Sequence, residues 1–337
     1  MPGALPVLNK KAIEYAVAVG LALDCDITMN TMFDRKNYFY PDLPKAYQIS
    51  QLYFPLAQDG HVKIKLGDRE KSIGIHEIHL EEDAGKLIHD PDKSNILVDY
   101  NRAGIPLIEI VSRPDMSSSE EVLAYLDKLR TTLLYLGVSD CKMQEGSMRV
   151  DINLSVRETT SKTLGTRTEI KNLNSFKAIT RAIESESKRQ IGIIKNGGRV
   201  ELETRRFDDI SGENTRMRTK ERIEDYRYFP DPDLPPIELS EELINKIKSS
   251  LPEFREEKIS RFQREYNIPQ YDAEVLTSSR NIAGIFEKTA NLCNMPKEVS
   301  NWLMVEGMRI IKEKNMDIWE IDISSEMFSS LILMVDQ

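Results

Sequence analysis

The chain has 337 residues, of which 40% are hydrophobic and 30% charged, and its net charge is −9 at neutral pH. This length favours two domains, and the composition is typical of a globular protein with a hydrophobic core. The acidic balance excludes a surface that attracts nucleic acid as a whole, so RNA binding requires a local basic face.

Membrane and disulfide-rich classes are also excluded. There is no apolar run long enough to span a bilayer, and the N-terminus lacks the basic start and apolar block of a signal peptide. Cys25, Cys141 and Cys293 form no CxxC pair, so neither a zinc knuckle nor a disulfide framework is indicated. We therefore expect a cytoplasmic protein with no membrane partner.

The N-terminal part predicts a helix and then a loop rich in aromatic, basic and amide side chains. Asn9 is a suitable cap for a helix that continues to Leu23. The loop comprises residues 33–51, where Pro41 breaks any helix. Rigid aromatic rings beside Arg and Lys suit phosphates and bases. This loop is therefore either a packed surface loop or the lining of a pocket for a charged substrate.

An antiparallel hairpin follows. Val62–Leu66 alternates apolar and basic residues, a turn at Gly67 comes next, and Lys71–Leu80 returns as the second strand. Glu81 and Glu82 lie at the end of this second strand.

Three adjacent carboxylates, at positions 81–83, end this strand. They repel one another unless an arginine, a lysine or a hard divalent cation such as Mg²⁺ holds them, or unless they form a solvated turn. Alternation places His79 and Glu81 on one face of the strand, and His76 and Glu82 on the other. The two histidines are therefore not expected to share a metal ion.

Residues 93–106 predict a strand and a turn, and Leu107–Val111 predicts a nearly continuous apolar strand that contains Glu109. A carboxylate in such a strand is costly unless it is paired or ligating. Glu109 is therefore expected either to form a buried ion pair with Arg102 or Arg113, or to be a metal ligand.

A capping box at Ser118 starts a predicted helix over Glu120–Leu136. The next segment, Met143–Arg157, predicts a strand with one apolar and one polar face, which follows Glu145 and Gly146. This polar face is either solvated or the floor of a nucleotide–metal site. It consists of Arg149, Asp151, Asn153, Ser155 and Arg157.

Residues 165–176 predict another strand, which runs into a helix capped by Asn174, and Val200–Phe207 predicts the strand after it. This region is rich in arginine, whose forked guanidinium suits phosphate oxygens, although solvation or pairing with carboxylates is the alternative for each. The arginines are Arg205, Arg206, Arg216, Arg218 and Arg227.

The proline-rich segment Asp231–Pro236 marks a change of composition, after which only helical patterns occur. We predict two domains, residues 1–240 and 241–337. The predicted helices of the second are Glu241–Lys248, one that starts at Pro252, Ala273–Thr277, Ile282–Leu292 and Lys297–Glu313.

The absence of two common nucleotide-binding motifs limits the kinds of active site that the sequence supports. The chain contains neither G-x-x-x-x-G-K-[ST] nor G-x-G-x-x-G, so a P-loop or Rossmann nucleotide site is not supported. None of its four histidines lies in a nucleophile motif. Carboxylates on antiparallel strands together with several arginines suit metal-assisted phosphoryl transfer, in which Mg²⁺ and guanidinium groups neutralise the transferred group.

Motifs along essentially the whole chain resemble, in order, the B subunits of the aspartyl/glutamyl-tRNA amidotransferases. Together these motifs are highly specific. They lie at residues 34–42, 45–50, 80–86, 101–102, 106–109, 145–151, 171–175, 203–205 and 225–230.

The resemblance implies a carbon–nitrogen ligase that uses ATP and Mg²⁺. Proteins of this family transfer the γ-phosphate of ATP to the side-chain carboxylate of Glu or Asp on a mischarged tRNA(Gln) or tRNA(Asn). Ammonia from a partner amidase then displaces the phosphate. The implied partners are the A subunit, which is the amidase, the small C subunit and the mischarged tRNA, in a heterotrimer.

The resemblance also implies an α+β fold in which an antiparallel-sheet cradle, similar to the glutamine synthetase and guanido kinase fold, precedes an all-α domain. Carried over residue by residue, Glu82 and Glu109 match the metal-binding carboxylates of the family. Glu81, Glu145 and Asp151 are further candidates for that cluster. The implied phosphate-neutralising residues are Arg149, Lys171, Arg205 and Arg227; Glu82, Glu109, Arg149 and Lys171 are the implied catalytic set.

The chain departs from the family at both ends. It lacks the family's initial strand, of the G-L-E-V-H type, which supplies an acidic and a histidine ligand, and it lacks the tail domain that contacts tRNA. We therefore expect a fragment with impaired activity. The alternatives are a scaffold that only docks the amidase, or a free-standing carboxylate–amine ligase that acts on a small molecule.

Overall fold

The computed structural model describes residues 5–89, 95–219, 223–314 and 323–335. The described residues form two compact units, the first within Met1–Lys128 and Cys141–Ser250, the second within Leu129–Asp140 and Leu251–Gln337. Helices and mainly antiparallel sheets occur together, which confirms the α+β class. The assignment of a catalytic domain to residues 1–240 and a helical domain to 241–337 stays a prediction. None of the described helices is both long and apolar enough to cross a bilayer.

Helices occur in both units. They are α1 (Lys10–Ala22), α2 (Ser119–Leu136), α3 (Phe176–Lys195), α4 (Glu241–Ser249), α5 (Arg255–Tyr266), α6 (Gln270–Leu276), α7 (Arg280–Cys293), α8 (Pro296–Trp302), α9 (Met308–Lys314) and α10 (Ser325–Val335).

The strands of the described residues all belong to the first unit. They are β1 (Asp26–Ile27), β2 (Asn30–Thr31), β3 (Asp34–Asn37), β4 (Tyr47–Ser50), β5 (Ala57–Gln58), β6 (His61–Leu66), β7 (Arg69–Glu82), β8 (Lys86–His89), β9 (Ile96–Asp99), β10 (Pro106–Ser112), β11 (Ile152–Leu154), β12 (Thr168–Lys171), β13 (Glu203–Asp208), β14 (Glu213–Thr219), β15 (Phe229–Pro230) and β16 (Ile237–Glu238).

The 14-residue strand β7 is the centre of the first sheet. Its first half pairs antiparallel with β6 around Gly67, whose φ of 59° gives the left-handed turn, so the predicted hairpin is confirmed. Its second half pairs with β5 and β10. Ile73, Ile75 and Ile78 are fully buried and fix β7 in the core, which makes its end a rigid support for polar side chains.

A second sheet has the order β11-β12-β13-β14, in which β12 and β13 are parallel and connected through α3. The helix α3 packs on one face of this sheet, where Ile170, Ala182 and Phe207 are fully buried. Parallel strands need such a crossover, and the helix covers the face that would otherwise expose apolar side chains.

The predicted long strand over Met143–Arg157 is wrong for most of its length. Only Ile152–Leu154 pairs, with β12, and a turn precedes it, in which the Gly146 N–H donates to the Met143 carbonyl at 3.1 Å. The φ of 74° at Gly146 is incompatible with an extended strand, so the first part of the predicted strand is a turn.

Two helix predictions also need correction. The cap of α3 is Ser175, whose hydroxyl accepts from the Ala178 N–H, and not Asn174. The predicted helix over Lys297–Glu313 is interrupted by a π-helical segment, Leu303–Gly307, between α8 and α9. The cap of α1 at Asn9 and that of α4 at Ser240 are both as predicted from the sequence.

The second unit has its own core, built from the inward faces of α5 to α8 and α10. Phe262 and Phe286 are fully buried with ring centroids 4.9 Å apart, and Tyr266 packs edge-on against both. Offset and edge-to-face aromatic contacts of this kind stabilise a core beyond the area that they bury.

Candidate functional site

Adjacent strands bring together two carboxylates and one imidazole. Glu109 on β10 lies directly opposite His79 on β7, so the two side chains share a face of the sheet, and Glu81 shares it by alternation. The His79 Nε2 atom lies 3.3 Å from a Glu109 oxygen and 3.8 Å from a Glu81 oxygen. One ligand atom from each of the three residues lies within 4.8 Å of the others. We call these three residues the His79 cluster.

The carboxylates determine the charge of the imidazole. His79 is 8% exposed, and burial opposes its protonation, but the hydrogen bonds to Glu109 and Glu81 outweigh burial and raise its pKa to about 9. The hydrogen bond from His79 lowers the pKa of Glu109, against the effect of burial, and the charges of Lys36 and Lys171 lower it further. Near neutral pH the cluster therefore consists of an imidazolium between carboxylates.

We expect the imidazole of His79 to titrate near pH 9 in the metal-free protein. Because the folded pKa lies above the usual 6.5, this interaction stabilises the fold fully below pH 6.5 and is lost as the pH rises through about 9. Nitrogen-15 NMR of the imidazole would measure the midpoint, and Glu109→Gln should lower it. A His79 midpoint below 6.5 would contradict the assigned contacts.

Two lysines and a tyrosine surround the cluster. Lys171 on β12 forms ion pairs with Asp151 at 2.5 Å and Glu169 at 3.4 Å, and these two carboxylates raise its pKa although burial opposes this. Lys36 lies 4.8 Å from the centre of the Tyr226 ring. Burial, and then the charges of Glu81 and Glu109, raise the pKa of Tyr228, so it is a neutral hydrogen-bonding group. The charges of both lysines act on Glu109 and so offset part of the negative charge of this site.

Glu82 is not part of the His79 cluster. It lies opposite Pro106 in the β7–β10 register, on the other face of the strand from His79. Both its carboxylate oxygens accept from the Lys45 ammonium at 2.5 Å, and one also accepts from the Ile49 N–H at 3.0 Å. The structure therefore groups Glu81, and not Glu82, with Glu109.

Asp83 holds two arginines. Its carboxylate accepts from Arg102 at 2.7 and 3.0 Å and from Arg149 at 2.9 Å, and Arg102 also donates to the Gly146 carbonyl. Arg113 pairs with Asp59. The partner of Glu109 is thus His79, and not Arg102 or Arg113, which were the partners considered from the sequence.

The remaining predicted site residues lie elsewhere in the first unit. Arg205 is on the α3 side of its sheet, where it pairs with Glu203 at 2.6 Å and lies 3.7 Å from Glu186. Glu145 is exposed and pairs with Lys142. Arg227 is exposed and has a left-handed φ of 46°. None of these three is placed at the His79 cluster by a described contact.

His79, Lys36 and Tyr228 were not among the predicted site residues. The sequence did contain a signal for His79, because the alternation of side chains places it on the same face of the strand as Glu81. Lys36 and Tyr228 are distant from β7 in sequence, and no local pattern indicates their proximity to the carboxylates.

This chemistry suits a divalent cation. Once His79 has lost its proton, two carboxylate oxygens and one imidazole nitrogen within 4.8 Å of one another are a recognised donor set, so metal binding would displace the imidazolium proton. The His79 Nδ1 atom is buried without a hydrogen-bond partner among the described residues. Lys36 and Lys171 could in addition neutralise an anionic group that approaches the cluster.

Comparisons with known proteins agree along the whole chain. A family model described as the GatB/GatE catalytic domain matches residues 1–245, and a model described as the GatB domain matches residues 284–337. A protein of Lachnoclostridium phytofermentans, named as the B subunit of aspartyl/glutamyl-tRNA(Asn/Gln) amidotransferase, is 62% identical over 336 residues, which are 100% of this chain and 70% of that protein. Proteins of the same name from Agathobacter rectalis and Lachnospira eligens are each 57% identical, over 99% and 100% of this chain and 70% and 71% of theirs.

Proposed function

Because the chain belongs to the GatB/GatE catalytic-domain family, we propose that it acts as the B subunit of an aspartyl/glutamyl-tRNA(Asn/Gln) amidotransferase. It phosphorylates the side-chain carboxylate of Glu-tRNA(Gln) or Asp-tRNA(Asn) with ATP and amidates it with ammonia from a partner amidase. The observation that carries this proposal is the 62% identity over the whole chain, in a molecule whose first unit contains a carboxylate–imidazole cluster flanked by lysines.

The cofactors of this proposal are ATP and Mg²⁺. Glu81, Glu109 and His79 would hold the metal ion, and carboxylate oxygens are the ligands that Mg²⁺ prefers. When bound, the ion neutralises charge on the phosphates during transfer. Glu82 is not in this ligand set, because it is paired with Lys45, and the role of Asp151 is to hold Lys171.

The protein's own contribution is charge and orientation. Lys171 and Lys36, whose charges act on Glu109, are the groups that would bind oxygens of the transferred phosphoryl group. Arg149, fixed by Asp83 and half-exposed, is a further donor for these oxygens. Fixed donors of this kind stabilise the acyl phosphate and its formation without reorganisation. The cradle similar to glutamine synthetase and guanido kinases belongs to the same proposal, as does a cytoplasmic location.

The partners are the A subunit, which is the amidase, the small C subunit and the mischarged tRNA, in a heterotrimer. The relatives are named as B subunits, and a B subunit is one component of a multi-subunit enzyme. In this assembly the chain supplies the phosphorylation and amidation site, and the amidase supplies ammonia.

The test is reconstitution of the complex with amidase and small subunits from a close relative. With ATP, ammonium chloride and either Glu-tRNA(Gln) or Asp-tRNA(Asn), we expect amidated aminoacyl-tRNA and release of phosphate. Uncharged tRNA is the control and should give neither. A complex that assembles but releases no phosphate with either substrate would mean a scaffold only. Activity without any tRNA would mean a small-molecule ligase.

A further inference from the structure

Three lysines in the region of the candidate site differ in what holds their ammonium groups. Lys45 pairs with Glu82 at 2.5 Å, and Lys171 pairs with Asp151 at 2.5 Å. Lys36 forms no ion pair with any residue that the structure describes. A carboxylate in contact with a lysine offsets its positive charge. Of these three lysines, Lys36 therefore keeps the charge that is most available to an anionic substrate group.

Two tyrosine rings hold the ammonium group of Lys36 instead. Its Nζ atom lies 4.8 Å from the centre of the Tyr226 ring and 5.8 Å from that of Tyr38. The two rings meet edge to face, with their centroids 5.7 Å apart. The negative face of an aromatic ring attracts a cation within about 6 Å and carries no net charge. The rings therefore restrict the position of this ammonium group without neutralising it. We call Tyr38 and Tyr226 the tyrosine clamp.

Backbone contacts fix Tyr226 beside β3, the strand of the lysine. The side-chain amide of Asn37 donates to the Arg227 carbonyl at 2.8 Å and to the Tyr226 carbonyl at 3.4 Å. The chain then turns at Arg227, with its left-handed φ, and pairs with the same strand, where Phe229 lies opposite Arg35. None of these contacts involves the Tyr226 ring. The ring is thus preorganised by its backbone, and its replacement leaves this support in place.

The tyrosine clamp lies beside the His79 cluster. The charge of Lys36 acts on Glu109, one of the two carboxylates of that cluster. The ring of Tyr226 also packs edge-on against Tyr228, with centroids 6.2 Å apart, and the charges of Glu81 and Glu109 act on Tyr228 in turn. Lys36 is therefore close enough to act on an anionic group that binds at the cluster.

Resting on the proposed function, we propose that Tyr226, supported by Tyr38, is a positioning residue for the phosphorylation step. Its ring holds the ammonium group of Lys36 where that group meets the oxygens of the transferred phosphoryl group. A lysine on its flexible four-carbon stem otherwise has many rotamers, and only fixed charges stabilise a transition state without reorganisation. A carboxylate would also fix the lysine, but it would offset the charge that the phosphoryl group requires. An aromatic ring fixes the lysine and leaves its charge intact.

The contact between Tyr226 and Lys36 can be tested without any reaction. NMR of the chain with carbon-13 at the lysine ε-carbons reports on it, and Lys36→Arg assigns the Lys36 signal by its absence. Because a ring face shields the protons above it, this signal should lie upfield, move downfield in Tyr226→Leu and stay in place in Tyr226→Phe. The signal of Lys45, whose Nζ atom lies 5.1 Å from the centre of the Tyr47 ring, is the control and should not move. An unchanged Lys36 signal in Tyr226→Leu would overturn the proposal.

Single-turnover phosphorylation of mischarged tRNA at saturating ATP, in the reconstituted complex, tests the effect on the reaction. We expect Tyr226→Leu to slow this step by about tenfold and Tyr226→Phe to keep it within about twofold, because Phe retains the ring face. Tyr38→Leu removes the more distant ring and should slow it less. In a Lys36→Met background, Tyr226→Leu should change the rate by less than about twofold, because Tyr226 acts through the lysine.

Three kinetic results would overturn the proposal. They are an unchanged rate in Tyr226→Leu, an equal loss in Tyr226→Phe and Tyr226→Leu, which would indicate the hydroxyl group, and a full loss from Tyr226→Leu in the Lys36→Met background. If the unaltered complex phosphorylates no tRNA, the proposed function fails, and the NMR signal still decides whether Tyr226 holds Lys36.

Discussion

Replacing Glu109 by Gln is expected to reduce amidation of the mischarged tRNA by about 10³-fold. The substitution removes a negative charge from the His79 cluster, and a metal ion that neutralises phosphoryl transfer contributes several kcal/mol to the transition state. The fold should survive, because the Glu109 side chain is 52% exposed and Gln keeps its shape. The measurement is single-turnover amidation with saturating ATP, together with a titration of Mg²⁺, whose requirement should rise.

Glu82→Gln is the matched control for this prediction. Glu82 is a neighbour of Glu81 in sequence, but it pairs with Lys45 on the other face of β7, so its loss should affect stability more than turnover. If Glu82→Gln abolished amidation while Glu109→Gln retained it, the ligand set proposed from the structure would be wrong. Loss of amidation in both variants would favour the sequence resemblance, which implies Glu82 and Glu109 together.

Glu186→Ala is expected to destabilise the first unit by about 2–3 kcal/mol, because it removes a buried acceptor from the partly buried guanidinium groups of Arg189 and Arg205, which keep Glu203 as a partner. Glu186 is fully buried in α3 and accepts from Arg189 at 2.7 and 2.9 Å and from Gln190 at 2.8 Å. Arg205 on β13 lies 3.7 Å away, so this network fixes the helix to the sheet. Urea denaturation followed by circular dichroism measures the change.

The control is Glu184→Ala, on the exposed side of the same helix, which should change stability by no more than about 0.5 kcal/mol. Equal stability of the Glu186 and Glu184 variants would show that the buried network does not hold the sheet. A large loss for Glu186 alone would support a structural role for Arg205 in this network, in place of the phosphate-binding role that the resemblance implied.

Where sequence and structure agree, the signal is local. The β6–β7 hairpin follows from alternation and a glycine turn, and the caps of α1 and α4 follow from Asn9 and Ser240. Each of these depends on residues within a few positions of one another. The family resemblance, which depends on motifs along the whole chain, identified the same family as the comparisons.

The remaining features depend on contacts between distant segments. Alternation showed that Glu81 and Glu82 point in opposite directions, but only the register with β10 shows which of them joins Glu109. The predicted strand over Met143–Arg157 does not begin at Met143, because Gly146 turns the chain there, and no periodicity reveals a positive φ. Arg205 lies in a motif that matches the family. Only the packing of α3 on the sheet shows that its guanidinium group is next to the buried carboxylates of Glu186 and Glu203.

The central claim is that this chain forms a phosphorylated carboxylate on aminoacyl-tRNA at the His79 cluster. The most direct measurement incubates the reconstituted complex with ATP labelled in its γ-phosphate and mischarged tRNA, with neither ammonia nor glutamine, and then isolates the tRNA. The account predicts labelled phosphate on the aminoacyl group with the unaltered chain, and none above background with Glu109→Gln. Label that persists in Glu109→Gln, or amidation by the unaltered chain without any labelled intermediate, would contradict it.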